Sequence, residues 1–311
     1  MAIDTVDLPV EAEEFLTWLA AERGRSANTL AAYRRDLRAY LRWLRERGLA
    51  LDAVTEPDIT AYVAWQRDGG RAPASVARAL VSVRSLHRFL ALEGVTVSDP
   101  GADVEAPRVP QSLPKALSEA DVERLLGAVV GEDAVARRDR AILEVLYGTG
   151  LRISELVGLS LSDVDLDGAL LRAYGKGAKE RVVPVGRIAS RALARWLDPG
   201  GRGALSPERW ARRGDSEAVF LNARGGRLSR QGAWGIVRKY GDKVGLGHRL
   251  TPHVLRHSCA THMLDHGADI RAVQELLGHA SITTTQVYTK VSTERLRQVY
   301  EAAHPRARRR G

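Results

Sequence analysis

One cysteine, two methionines and three phenylalanines are all that this 311-residue chain holds of those types. The lone Cys259 excludes an internal disulfide and fits a reducing compartment. No apolar run comes near the roughly 20 residues needed to cross a bilayer. The acidic opening MAIDTVDLPVEAEEFL lacks the basic start and apolar stretch of a secretory signal. Internal repeats and low-complexity tracts are also missing, and 44% hydrophobic with 27% charged residues is the composition of a globular chain. These absences leave a cytoplasmic protein without a membrane segment, long enough for two domains.

Lysine is scarce as well: Lys115, Lys176, Lys179, Lys239, Lys243 and Lys290 are the only lysines among 47 basic residues. The net charge is +9 and the pI about 10. Such a balance favours a polyanionic partner, because neutralised phosphates release condensed counterions. Arginines at ordinary surface positions would produce the same charge, so motifs must decide.

The pattern predicts a mainly α protein with a small β-sheet. A helical N-terminal domain over 1–100 is expected from four helices. The first covers 11–22, and Ser26 caps the second, in which Leu30, Tyr33, Leu37 and Leu44 follow the 3.6-residue period. Thr55 to Asp58 form a capping box for the third, and the fourth spans 74–92. Arg34, Arg38 and Arg42, with Arg84 and Arg88 on the fourth helix, make basic stripes suited to a phosphate backbone. Proline and glycine between 98 and 113 break regular structure, which places a linker at 101–114. A second domain, 115–311, then opens on a capping box at Ser118. Its predicted elements are helices at 119–129 and 134–147, strands at 170–174 and 181–185 flanking a turn that holds Lys176, and helices at 187–197, 230–239 and 252–266. Ser281 and Ser292 are expected to cap two final helices, the first carrying Tyr288.

In chain order, Arg152, Lys176, His253, Arg256, His279 and Tyr288 have the makings of a phosphodiester site. Two guanidiniums, Arg152 and Arg256, can clamp non-bridging oxygens and stabilise the charge of a pentavalent transition state. The Tyr288 hydroxyl can attack phosphorus, and the resulting ester keeps the bond energy for rejoining. Lys176 can protonate the departing deoxyribose oxygen. His253 and His279 can donate hydrogen bonds to the phosphate or move the tyrosine proton, and the residues leave that split open. Glu155 is either a surface partner of Arg152 or the group that orients it. His253 and His257 have a zinc-like spacing, but Val-Leu-Arg between them supplies no acidic group and adds a cation, so no metal is expected.

Five segments carry a resemblance: GTGLRISEL at 148–156, GKGAKER at 175–181, TPHVLRH at 251–257, LLGH at 276–279 and TTTQVY at 283–288. They resemble the tyrosine recombinases of the phage-integrase family, over the whole chain and closest to the XerC/XerD group. The ending STERLRQVYEAAHPRA at 292–307 is more similar to XerD. The resemblance implies a core-binding N-terminal domain, a catalytic domain with a C-terminal interaction helix, and a 3′-phosphotyrosine at Tyr288. The family's lysine position matches Lys176, although Lys179 is close by. It further implies a double-stranded recombination site, a paired Xer-type recombinase in a heterotetramer, an FtsK-type translocase, and no cofactor. Chromosome-dimer resolution at a dif-like site is the expected role. The alternatives are an integrase of a mobile element, or an inactive DNA-binding accessory protein of the same fold.

Overall fold

The computed structural model describes residues 8–107, 116–175, 180–278 and 290–308, the side chains of 290–293 apart. Within it the chain divides into two compact units, Met1–Ser112 and Leu113–Gly311.

The first unit packs four helices, α1 (Val10–Ala21), α2 (Ala27–Glu46), α3 (Glu56–Asp68) and α4 (Pro73–Leu92). Their starts are set locally: Ser26 Oγ accepts from the Thr29 N–H, and Thr55 and Asp58 form the predicted capping box. The 3.6-residue stripe of α2 brings Leu37, Tyr40 and Leu44 inward, beside Trp43. Tyr62 of α3 meets Tyr40 at 4.9 Å and Trp43 at 5.4 Å between ring centroids, giving the core an aromatic centre. Val104 also lies in this core, so the start of the stretch expected to be a linker packs onto the first unit.

The second unit is built around α6 (Ala134–Thr149), whose residues from Ala141 to Thr149 are all buried. Around it lie α5 (Glu119–Gly127), α7 (Ile153–Gly158), α8 (Arg187–Leu197), α9 (Arg230–Lys243), α10 (Pro252–Asp265), α11 (Ile270–Leu277), α12 (Lys290–Ala303) and α13 (Pro305–Arg308). A three-stranded antiparallel sheet completes the unit, in the order β1 (Val164–Asp165), β2 (Leu170–Tyr174), β3 (Glu180–Pro184). Strand alternation turns Leu171 and Ala173 inward opposite Val183 and Arg181. The molecule is therefore mainly helical with a small sheet, in agreement with the sequence pattern.

The C-terminal helices pack on their own unit. The Tyr300 hydroxyl accepts from the Gly186 N–H at 3.1 Å, and Arg306 pairs with the buried Glu144 of α6. Ser292 lies inside α12 and does not cap it, because the helix starts at Lys290. A serine four residues ahead of Leu296 has the form of a cap, yet extending the helix over two more non-glycine residues costs little. The helix expected to be capped by Ser281 and to carry Tyr288 lies outside the described residues.

Candidate active site

The site is organised by a break between α6 and α7. Gly150 closes α6 in the left-handed conformation, with φ +61°, a conformation an L side chain adopts at a cost. Two residues later Arg152 is the N-cap of α7, and its backbone N–H donates to Glu155 Oε2 at 2.8 Å. The Arg152 side chain also donates to Glu155 Oε1 at 2.8 Å, while about 44% of it remains exposed.

Arg256 reaches the same break from α10. Thr251 caps that helix through the Val254 N–H and Pro252 is its first residue, as the sequence indicates. Arg256 is buried and donates to the Gly150 and Leu277 carbonyls, both at 2.6 Å. Those carbonyls accept two of its five N–H groups. Burial, then the charge of Arg152, pull its pKa down to about 10, with Arg181 adding to the effect and Glu155 opposing it. It stays a cation at neutral pH, in surroundings that an anion would relieve.

Glu155 is no surface partner. Its side chain is 2% exposed, and Arg181 grips it with Nη1 on Oε1 at 2.8 Å and Nη2 on Oε2 at 2.7 Å. Burial pushes its pKa up, but the hydrogen bonds and charge of Arg181, followed by the Arg152 bonds, outweigh this and hold it below the usual carboxylate range. Arg181 is the member of this cluster that the sequence reading did not single out. A signal was present: 181, 183 and 185 share one strand face with Val183 and Val185, and a cation on that apolar face demands a buried acid.

The remaining expected residues divide. His253 is exposed on the first turn of α10, one turn before Arg256. Lys176, His279 and Tyr288 lie outside the described residues. In sequence, Lys176 lies between β2 and β3, which begins at Glu180, and His279 follows Gly278, the C-cap of α11 with φ +69°. Among the described residues no group of three or more His, Cys, Asp or Glu could hold a metal ion. A separate cavity of about 640 Å³ between α8 and α12 is lined by Arg191, Arg297 and Tyr300, and by none of the expected catalytic residues.

The basic stripes of the first unit are only partly available. Arg34 is paired with Glu13, and Arg84 donates to the Ala102 carbonyl at 3.0 Å. Arg38 is half-buried, whereas Arg42 and Arg88 are exposed. No membrane-spanning helix is present among the described residues.

A helical unit with exposed arginines, and a unit that clusters guanidiniums about a helix break, are the features of a protein that handles a phosphate backbone. Residues 115–295 match the phage integrase family and residues 12–94 match the phage integrase N-terminal SAM-like domain. The chain belongs to the phage integrase family and is a tyrosine recombinase, a site-specific DNA recombinase. It is 47% identical to tyrosine recombinase XerD of Corynebacterium glutamicum, over 96% of this chain and 99% of the relative. Identity to tyrosine recombinase XerD of Halalkalibacterium halodurans is 44%, over 95% and 97%. Among solved structures, the XerH recombinase bound to a palindromic difH substrate has a TM-score of 0.67 at 21% identity, covering 93% of this chain and 84% of that one. The Tn1549 transposon integrase in complex with circular intermediate DNA has a TM-score of 0.69 at 20% identity, covering 92% and 98%. These two likenesses concern the fold.

Proposed function

We propose that this recombinase exchanges strands at a dif-like site to resolve chromosome dimers at cell division, with Tyr288 as nucleophile and Arg152, Lys176, His253, Arg256 and His279 as its catalytic partners. The observation that carries the reading is the convergence of Arg152 and Arg256 on the Gly150 break. Three guanidiniums there face one carboxylate, leaving excess positive charge with Arg152 half-exposed. Uncatalysed phosphodiester cleavage is so slow that on the order of 20 kcal/mol of barrier must be removed. Fixed cations at the non-bridging oxygens supply much of this, since they stabilise charge that grows in the transition state.

In this mechanism the Tyr288 hydroxyl passes its proton to His253 or His279 as its oxygen attacks phosphorus, and the bond to the 5′ oxygen breaks with Lys176 giving that oxygen a proton. A 3′-phosphotyrosyl ester and a free 5′-hydroxyl result. The ester stores the energy of the broken bond, so rejoining to a partner strand is the same reaction reversed and consumes no ATP. Arg42 and Arg88 are proposed to hold the DNA backbone, with lesser roles for Arg34, Arg38 and Arg84. The XerD name of the relatives supports pairing with a second Xer-type recombinase. A heterotetramer, activation by an FtsK-type translocase and action in the cytoplasm complete the proposal. A mobile-element integrase is not favoured, because the relatives at 44–47% identity carry the XerD name.

The test is a nicked site that traps the cleaved complex, with EDTA present throughout. The wild-type chain should form a covalent protein–DNA adduct, and Tyr288→Phe should bind the site without forming one. An undiminished adduct with Tyr288→Phe would remove that residue from the mechanism.

A further inference from the structure

Every donor atom of the Arg181 guanidinium is engaged inside the protein. Nη1 and Nη2 donate to the two Glu155 oxygens, and Nε donates to the Leu276 carbonyl at 3.1 Å. The side chain is about 5% exposed, so it has no route to a bound phosphate. Its edge also lies against Gly278, where an added Cβ would come within 3.0 Å of the Arg181 Cδ. Arg181 of β3 thus ties together α7, through Glu155, and the end of α11.

The hydrogen bonds of Glu155 show what this does for the site. Its carboxylate accepts four: two from Arg181, one from the Arg152 backbone and one from the Arg152 side chain. A carboxylate has about four acceptor sites, so Arg181 takes the places that a second Arg152 side-chain bond would need. Without it, Arg152 would be the one guanidinium hydrogen-bonded to a buried carboxylate and would turn both prongs of its fork inward. We propose that Arg181 is a positioning residue for strand cleavage: by saturating Glu155 it limits Arg152 to a single side-chain bond and leaves the rest of that guanidinium for the scissile phosphate. The inference rests on Arg152 binding that phosphate. It also gives the buried pair a role in reactivity beyond stability, since a pair of this kind is weak ground for stability by itself.

The test compares wild type, Arg181→Met and the double variant Glu155→Gln/Arg181→Met on nicked sites. Each site carries either an ordinary phosphate or an uncharged methylphosphonate at the cleaved position. Arg181→Met should bind DNA as wild type does, yet cleave the phosphate about 100-fold more slowly. Its loss on the methylphosphonate should be about 10-fold or less, because less charge needs Arg152 there. Adding Glu155→Gln should restore part of the phosphate cleavage by releasing Arg152. Should Arg181→Met fail to fold, Arg181→Lys carries the test, since one ammonium cannot fill both Arg181 places on Glu155 and should again slow the phosphate more than the methylphosphonate. Equal losses on both substrates, no loss, or a further loss on adding Glu155→Gln would overturn the positioning role. A wild-type chain that forms no adduct would instead overturn the phosphodiester mechanism itself.

Discussion

His304 sits at 0% exposure with its ring 4.7 Å from that of Tyr300, and its Nδ1 accepts from the Arg306 N–H at 3.1 Å. Burial is the main cause that pulls its pKa down to about 3. The same imidazole titrates near 6.5 in an unfolded chain. Between these values the unfolded state binds a proton that the folded state does not, so stability is lost as pH falls from about 6.5 toward 3. The loss is about 1.4 kcal/mol per pH unit once the unfolded imidazole is charged. His87, buried in the first unit against Tyr40, behaves alike with a pKa near 4. Urea midpoints measured from pH 7 down to pH 5 should therefore fall. In His304→Gln the slope of the second unit's transition should be shallower than in wild type, and identical slopes would contradict this placement of His304.

Gly150 and Gly278 both cap helices in the left-handed conformation, and they lie against Arg256 and Arg181 of the candidate site. An added Cβ at Gly150 would come within 2.6 Å of the Leu277 Cδ2, beside the carbonyl that holds Arg256. Gly150→Ala should cost about 1–2 kcal/mol of stability from the left-handed backbone. Its cleavage rate, measured where the variant is still folded, should fall as the two Arg256 anchors move. Wild-type cleavage in that variant would show the break to be dispensable. The elements legible in the sequence were those whose signals are local: the caps at Ser26, Thr55, Ser118 and Thr251 each satisfy a helix terminus with a side chain three residues away or less. The short α7 and α11 were not foreseen, since six and eight residues carry little periodicity and both depend on packing around the arginines. The candidate site was legible as a set of spaced motifs. The buried joint beneath it was not, because Glu155 and Arg181 are 26 positions apart and only the fold makes them neighbours.

At the scale of the whole molecule, the net charge of +9 comes from the second unit, because residues 1–112 carry 14 arginines against 16 acidic residues. The first unit offers individual exposed arginines such as Arg42 and Arg88, and the second offers the guanidinium cluster. In the proposed function the first kind holds a polyanion without regard to its chemistry, and the second acts on one phosphate. Family membership, the two-unit chain and the cluster together lead to a phenol oxygen that stores a broken strand. The most direct measurement is to digest the adduct trapped on a nicked site and map it by mass spectrometry. The account predicts nucleotide joined through its 3′-phosphate to the peptide containing Tyr288, with a 5′-hydroxyl on the released strand. A label on any other residue, or a linkage through a 5′-phosphate, would contradict it.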